Sequence, residues 1–500
     1  MGRTARGAAL PVLALLLLTA APPRHAAAQL PAGAGTSSGA EQLQREARIR
    51  NLRELELDQR LRANPAIPPG QRLLVDYGGY ATINYLDLDD PTGDSHILRE
   101  YDGIIYGRVN VDGAQEVFLR GRIGYRDFHR GDSFSGRGDE PIDGDLDRGY
   151  YRFDLRRFQT AYGGTPDSDF NFTGQVGRDL VYWANGLVMA EVIDGGILDF
   201  ELAGASLELI GGITPVRTVD IDSSRPGFDY NTRRGFFGAM LTAASAEHRP
   251  FVYFLAQRDY NEMAFRRVGT IPTSYDYNSY YLGIGSTGQL TGRLRYGLEA
   301  AYEFGDTLSN SFETAGFGTL VPVKQHRDNI DAAAFDGRLD YLVQDPADTR
   351  LSGEVIVATG DPDRGHTSNT FNGNRPKTDD HAFNAFGLIN TGLAFAPDVS
   401  NVLILRGGFS TVPFHDVRPL RRLQTGVDLF IFNKFRKDAP IDETTRDQRF
   451  LGVEPDVYVN WQVTSDVTLA LRYGVFFPSD NTIPIDKERQ FFFAGVTFAF

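Results

Sequence analysis

The sequence predicts an all-β protein: a single closed antiparallel transmembrane β-barrel of about 18 strands, with a short N-terminal periplasmic helix. Segments of about ten residues or more alternate between apolar and polar side chains, as expected for strands with two different faces. Clusters of glycine, proline and aspartate separate these segments. Short and long connections broadly alternate, which is typical of the two ends of an outer-membrane barrel.

The composition excludes several classes of protein. The 500 residues contain no cysteine, which excludes a disulfide scaffold, a thiolate metal site and a cysteine nucleophile. A hydrophobic fraction of 41% with 12% aromatic residues is too high for a disordered chain. The formal net charge of −14 argues against a nucleic-acid partner, because such a partner requires a basic surface.

Residues 1–28 predict a signal peptide. Arg3 and Arg6 precede an apolar run over 8–21, and the alanines at 26–28 provide a small-residue cleavage site. The run is short for a transmembrane helix, so a cleaved signal is favoured over an uncleaved anchor. We therefore expect export and a location in the outer membrane of a Gram-negative-type cell envelope.

Residues 29–71 predict a linker followed by a periplasmic helix. The linker is rich in alanine, glycine and serine, and leucines at near-helical spacing over 41–64 precede Pro65, which ends the helix. A solvated helix is favoured over a short coiled coil, which would need more heptads. The barrel is expected over 72–500.

The strand pattern is clear where Leu119 and Ile123 share one face and Arg120 and Arg122 share the other. Sixteen strands remain an alternative because alternation is imperfect over 170–290. An even count places both chain ends on the periplasmic side, and one polar face per strand fits a barrel better than a soluble propeller or sandwich. The predicted strands are 72–87, 97–112, 115–130, 149–163, 170–183, 197–215, 233–246, 250–262, 276–289, 291–305, 327–343, 348–360, 382–396, 401–413, 421–436, 449–463, 466–478 and 488–500.

The last strand ends in an apolar face that runs to the final residue. Its members are Phe492, Ala494, Val496, Phe498 and Phe500. A terminal phenylalanine on an alternating strand resembles the assembly signal of Gram-negative outer-membrane barrels. We therefore expect two partners, the outer-membrane lipid and the barrel assembly machinery.

The two tryptophans, Trp183 and Trp461, lie toward the ends of predicted strands. Aromatic side chains at these positions form girdles at the membrane interfaces of barrels. We therefore expect both to lie in such girdles, with Trp461 pointing away from the lumen.

Several motifs of the chain occur together in one known family. They are Leu-Gly-Val-Glu-Pro-Asp-Val at 451–457, Leu-Ala-Leu-Arg-Tyr-Gly-Val-Phe-Phe-Pro at 469–478, Ala-Thr-Gly-Asp-Pro-Asp at 358–363 followed by Thr370-Phe371, His381 to Gly387, and Gly-Arg-Asp at 177–179. Over about residues 150–500 they resemble the alginate export family of outer-membrane channels. The resemblance implies an eighteen-stranded barrel that passes a polar solute, anionic or carbohydrate. Pro455 and Asp179 depart from the family pattern, so alginate itself is not specified.

By alternation, charged side chains of both signs line the predicted lumen. The chain has 46 arginines and 5 lysines, and the planar guanidinium suits carboxylates of an acidic sugar or organic acid. Cross-strand ion pairs that stiffen the wall are the alternative use of these residues. The predicted lumen-lining residues are Arg108, Arg120, Arg122, Arg126, Arg152, Arg156, Arg293, Arg295, Arg338, Arg350, Arg406, Arg472, Glu454 and Asp456.

Arg120, Arg122 and Arg126 form the strongest candidate for recognition. Three charges of one sign on one strand face cannot neutralise each other, so we expect this ladder to favour anions in the pore. Acids on adjacent strands, such as Asp112 or Asp154, would compensate the ladder and weaken the preference.

The sequence predicts no enzyme, no catalytic residues, no cofactor and no metal site. It contains no His-Glu-x-x-His pair, no Gly-x-Ser-x-Gly elbow and no phosphate-binding loop. The loop 361–380 is rich in aspartate but lacks the spacing of an EF-hand. A solvated outer loop is favoured there over a calcium site, and inward folding that narrows the pore is a third alternative.

These observations predict an outer-membrane channel. A general diffusion porin is the alternative within transport, and a scaffold or adhesin that uses the 41–64 helix to hold a partner is the alternative outside it. An inward constriction loop would favour the channel, whereas a lumen blocked by packed aromatic side chains would favour the scaffold.

Overall fold

The computed structural model describes residues 67–68 and 71–500, apart from 133–137, 166–168, 229–231, 244, 246, 262–265, 316–318 and 371–372. The predicted signal peptide over 1–28 and the predicted helix over 41–64 lie outside the described residues. Among the described residues, no helix is both long and apolar enough to cross a membrane.

Eighteen antiparallel strands form one closed barrel. Closure occurs where the first strand pairs with the last, with Tyr80 opposite Ala499. The barrel strands are β1 Leu73–Asp89, β2 Ser95–Val111, β3 Gln115–Phe128, β4 Glu140–Asp154, β5 Phe170–Tyr182, β6 Ala190–Leu202, β7 Ala205–Ile213, β8 Arg234–Ala243, β9 His248–Asp259, β10 Asp276–Thr291, β11 Leu294–Leu308, β12 Asp328–Leu342, β13 Arg350–Ala358, β14 Val402–Thr411, β15 Leu423–Lys434, β16 Phe450–Gln462, β17 Val467–Pro478 and β18 Arg489–Ala499.

The two ends of the barrel differ in the length of their connections. Residues 203–204 and 292–293 are tight turns at one end, called here the short-loop end, where both ends of the barrel chain also lie. The opposite, long-loop end has connections such as 214–233 and 359–401. This asymmetry is typical of outer-membrane barrels, in which the short turns are periplasmic.

Two further hairpins extend the long-loop end, and one helix lies at the short-loop end. The hairpins pair Arg266–Val268 with Ile271–Thr273 and Phe312–Thr314 with Leu320–Pro322. The helix, α1 Leu155–Ala161, begins after β4 because the Asp154 side chain accepts a hydrogen bond from the Arg157 backbone N–H. The predicted strand over 149–163 is therefore wrong beyond residue 154.

The outer face of the barrel is apolar, as period-two alternation requires. Leu119 and Ile123 expose 53% and 62% of their surface outward. At a position that faces lipid these apolar side chains avoid the cost of placing charge in hydrocarbon. The arginines between them therefore point to the lumen.

The predicted strand count is confirmed, but two predicted strands are wrong in ways that cancel. The run 197–215 contains two strands, because Ala203 and Gly204 adopt φ angles of 49° and 85° and form a tight hairpin turn between β6 and β7. The run 382–396 is not a strand of the barrel. It lies inside the lumen, where both of its faces are buried.

Candidate functional site

Two connections fold into the lumen from the long-loop end. We call residues 183–189, between β5 and β6, the short inner segment, and residues 381–401, between β13 and β14, the long inner segment. They bind each other through their backbones. The Leu388 N–H donates to the Gly186 carbonyl at 2.7 Å, and the Ala190 N–H donates to the Phe386 carbonyl at 2.7 Å. Together they form one body inside the barrel.

A wall carboxylate on β11 holds the short inner segment. Glu299 accepts hydrogen bonds from the backbone N–H groups of Asn185 at 2.8 Å and Leu187 at 3.3 Å. Its other oxygen accepts from the Tyr253 hydroxyl at 2.7 Å. Asp336 on β12 accepts from the Asn185 side-chain amide at 2.8 Å. These acids satisfy donors that would otherwise be buried without partners.

A second carboxylate on β11 holds the start of the long inner segment. Glu303 accepts from the Asn384 N–H at 2.8 Å and from the Tyr277 hydroxyl at 2.9 Å. The Tyr281 hydroxyl donates to the Asn384 carbonyl at 2.6 Å. Both backbone groups of Asn384 are therefore bound to the wall.

A third carboxylate, on β16, holds the middle of the long inner segment. Glu454 accepts from three consecutive backbone N–H groups, those of Leu393 at 2.5 Å, Ala394 at 2.7 Å and Phe395 at 2.8 Å. The Glu454 side chain is completely buried, and Asp456 beside it is almost so. The predicted role of these two acids as lumen-lining groups is therefore wrong, because the segment covers them.

Aromatic side chains fasten the same segment to the wall. Phe395 stacks on Phe476 with ring centroids 4.1 Å apart and meets Phe432 edge-on at 5.0 Å. Phe386 meets Phe236 edge-on at 5.1 Å. The apolar packing lies between the inner segments and one side of the barrel.

The opposite side of the lumen, the inner face of β2–β4, stays charged and partly exposed. We call it the open wall, and the inner face of β11 and β16 under the inner segments the covered wall. On the open wall, the Arg122 and Arg126 side chains expose 32% and 38% of their surface. A polar solute in the lumen would meet these side chains first.

Each arginine of the predicted ladder has an acidic partner. Arg120 donates to Asp147 at 2.6 Å. Arg122 binds both oxygens of Asp102 at 2.9 Å. The compensating acids differ from those expected, because Asp112 lies in the turn after β2 and Asp154 caps α1.

Arg126, the third arginine of the ladder, pairs with Glu100, with its Nε atom 3.6 Å from Glu100 Oε1. The same carboxylate oxygen lies 3.4 Å from Arg122 Nη2. The ladder therefore forms a network of alternating charges in which no arginine stands without an acid. This weakens the expected anion preference, which stays a prediction.

Seven of the other nine predicted lumen-lining arginines lie on the inner face, and four of these form ion pairs with wall acids. The pairs are Arg108 with Glu116 at 3.7 Å, Arg338 with Asp340 at 3.3 Å, Arg350 with Asp340 at 2.5 Å and Arg406 with Glu354 at 2.9 Å. Arg152, Arg295 and Arg472 share the inward phase of β4, β11 and β17.

Two predicted lumen-lining residues do not lie on strands of the barrel. Arg156 lies on α1 and contacts Glu201 at 3.2 Å. Arg293 lies in the turn between β10 and β11 and donates to Gln344 at 3.0 Å. Both were assigned by extending strand alternation past the point where the strand ends.

The two tryptophans have different environments. Trp461 lies at the short-loop end of β16, in phase with the outward Val457, and donates to the Pro419 carbonyl at 3.1 Å. Trp183 is only 1% exposed and donates to Glu208 at 2.5 Å. The girdle prediction is wrong for Trp183, because the short inner segment takes this side chain into the lumen.

The aspartate-rich loop 361–380 packs at the long-loop end. Arg364 pairs with Asp380, and the Asn374 amide donates to Asp361 at 2.8 Å. Burial raises the pKa of Asp361 to about 6. Within the described part of the chain, no group of three or more acidic or histidine side chains is arranged to hold a metal ion.

Several solved structures are similar to this chain. OccK11 (OpdR) of Pseudomonas aeruginosa has a TM-score of 0.50 and 13% identity over 87% of this chain and 98% of that chain. OpdO of the same organism has a TM-score of 0.49 and 12% identity, covering 85% and 97%; OccK5 (OpdH) has 0.48 and 9%, covering 85% and 98%.

No curated protein matches the sequence. The model of the alginate export family, in contrast, matches residues 214–489, more than half of the chain. The protein is therefore a member of the alginate export family, built as an 18-stranded outer-membrane β-barrel.

Proposed function

We propose that the protein is a channel that passes a polar solute, anionic or carbohydrate, along the open wall without chemical conversion. The observation that supports this most is the division of the lumen. The inner segments fill one side with apolar packing, and the inner face of β2–β4 stays charged. An inward loop with a charged path beside it is typical of a selective pore.

The chemistry of the open wall favours solutes rich in carboxylates and hydroxyls. A guanidinium has five N–H donors. The bonds from Arg122 to Asp102 and Glu100 use its Nε and Nη2 atoms, and within the described structure its Nη1 atom donates to no side chain. Such a group can exchange one acceptor for another as a solute moves past.

Aromatic side chains in the lumen also agree with a channel. A lumen blocked by packed aromatic side chains would favour a scaffold over a channel. Instead Phe395, Phe432 and Phe476 lie on the covered side, where they hold the constriction in place. They leave Arg122 and Arg126 exposed.

The test is single-channel conductance of the purified protein in planar bilayers. We expect ion current that acidic oligosaccharides block in a concentration-dependent manner, with neutral oligosaccharides as the matched control. Current without saturable block by either sugar would indicate a general diffusion porin. Absence of current would contradict the channel and favour the scaffold.

We further propose that residues 1–28 direct export and that the terminal strand is read by the assembly machinery. Phe500 pairs with β1 through two hydrogen bonds to Gly79, each of 3.0 Å. Deleting Phe500 removes both bonds, so we expect less protein in the outer membrane. Unchanged outer-membrane yield of the truncated chain would count against this role.

A further inference from the structure

We propose that Glu454 is a specificity-determining positioning residue: it fixes the long inner segment against the covered wall and thereby sets the width of the solute path. The inference rests on the proposed channel function. It assigns to a buried wall carboxylate a role in selectivity that does not require contact with the solute.

The first argument is the hydrogen-bond geometry. Three consecutive N–H groups, of residues 393–395, converge on the two oxygens of Glu454. Consecutive N–H groups that point to one side form an anion-binding concavity. A buried carboxylate with several N–H donors is strongly bound, because leaving these donors unpaired is costly.

The second argument is that segment and wall are shaped for each other. Gly392 has a φ of 107°, and a Cβ added there would lie 2.9 Å from Glu454 Oε1. On β17, a Cβ added to Gly474 would lie 3.0 Å from the Leu393 Cβ atom. A side chain at either glycine would push the segment toward the path.

The third argument is that the other polar contacts of the segment lie on either side of residues 393–395. The stacking of Phe395 on Phe476 is apolar and does not orient backbone N–H groups. Glu303 holds the segment at Asn384, and the Asn401 N–H donates to the Thr359 carbonyl at 2.9 Å where the segment ends. Loss of the Glu454 contact therefore leaves the middle of the segment held by apolar packing alone, while both of its ends stay attached.

The variant Glu454→Gln tests the role with a minimal change in volume. Glutamine has one acceptor oxygen in place of two, and its NH₂ group would face N–H donors. We expect a barrel that assembles normally, single-channel conductance lower by about twofold, and altered block by acidic oligosaccharides, because the released middle of the segment can move only away from the covered wall and into the path. Gly392→Ala should produce the same change from the segment side.

The matched control is Glu247→Gln. Glu247 is an exposed carboxylate in the connection between β8 and β9 at the short-loop end, away from both inner segments and from the open wall. We expect its conductance to stay close to that of the wild type.

A second measurement does not depend on conductance. The natural chain has no cysteine, so a spin label on Asn390→Cys reports the long inner segment alone. We expect the label to become more mobile when Glu454→Gln is added, and not when Glu247→Gln is added. Unchanged mobility and conductance in both Glu454→Gln and Gly392→Ala would overturn the inference. A wild-type protein that passes no current would instead overturn the proposed function, and the label would still test the anchor.

Discussion

The open wall and the covered wall use the same kind of residue for different purposes. On the open wall, Asp102 on β2 accepts hydrogen bonds from the guanidinium of Arg122 on the neighbouring strand β3. On the covered wall, Glu299 and Glu454 accept from backbone N–H groups of segments that come from elsewhere in the chain. A carboxylate on the inner face of a barrel is therefore not by itself a site for cargo. Its role depends on which donor reaches it.

Removal of the long inner segment should have the largest effect. Replacing residues 383–397 by a short glycine linker uncovers Glu303 and Glu454, so both walls become open. We expect single-channel conductance to rise several-fold, as measured in planar bilayers. Shortening the exposed connection 412–422 at the short-loop end is the control. If conductance were unchanged, the path would not run beside the segment, and the division into two walls would fail.

Neutralising the arginine ladder should change ion preference. The triple variant Arg120→Gln, Arg122→Gln and Arg126→Gln leaves the partner acids Asp102 and Glu100 without guanidinium groups. We expect the reversal potential in a salt gradient to shift toward cations, because selectivity follows the charge where the path is narrow.

The control for this measurement is Arg293→Gln, since Arg293 lies in the tight turn between β10 and β11 at the short-loop end. Its reversal potential should match that of the wild type. The same ion preference in the triple variant and the wild type would show that the ladder is structural and does not face the conduction path.

The two walls should also differ in how much the free energy of unfolding falls when one side chain is truncated. Glu299→Ala leaves two buried N–H groups and the Tyr253 hydroxyl without their acceptor, so we expect a loss of about 3 kcal/mol in the free energy of unfolding. Arg122→Gln, at an ion pair that the lumen solvent partly reaches, should cost about 1 kcal/mol or less. Urea unfolding in lipid vesicles measures both, and equal losses would contradict the distinction.

The smallest expected effect concerns pH at the long-loop end, away from either wall. Because burial raises the pKa of Asp361 to about 6, from 3.8 in the unfolded chain, the folded loop binds a proton more readily. The loop should therefore gain stability as the pH falls through about 6. Protection factors from hydrogen exchange over 359–380, which are corrected for the intrinsic pH dependence of amide exchange, should be higher at pH 5 than at pH 7.5. The dependence should disappear in Asp361→Asn, and its persistence there would assign it to another group.

Much of the barrel follows from local pattern. Alternation around Leu119 and Ile123 correctly predicts which side chains face lipid, because the pleat of a strand places neighbours on opposite faces. The turn at Asp112-Gly113 can also be predicted locally. Both residues have positive φ, and aspartate and glycine are usual residues in tight turns of this kind. The turn at Ala203-Gly204 was missed because alanine is not a usual residue at such a position.

The covered wall could not be predicted in the same way. The run 382–396 is apolar enough to resemble a strand, because a segment packed inside a lumen is buried on both sides. Alternation alone places both Glu454 and Arg122 on the inner face of the barrel. It contains no information on whether another segment of the chain covers a side chain there.

Local pattern therefore specifies a closed barrel and the inward phase of its charges, since these depend on residues close together in the chain, whereas the predicted strand number agrees because two errors cancel. Which of those charges remain for a solute depends on tertiary contacts. The donors that bind Glu299 and Glu454 come from residues 185–187 and 393–395, far from their acceptors in the chain. Such pairing depends on how the segments fold into the lumen, and no period in the sequence encodes it.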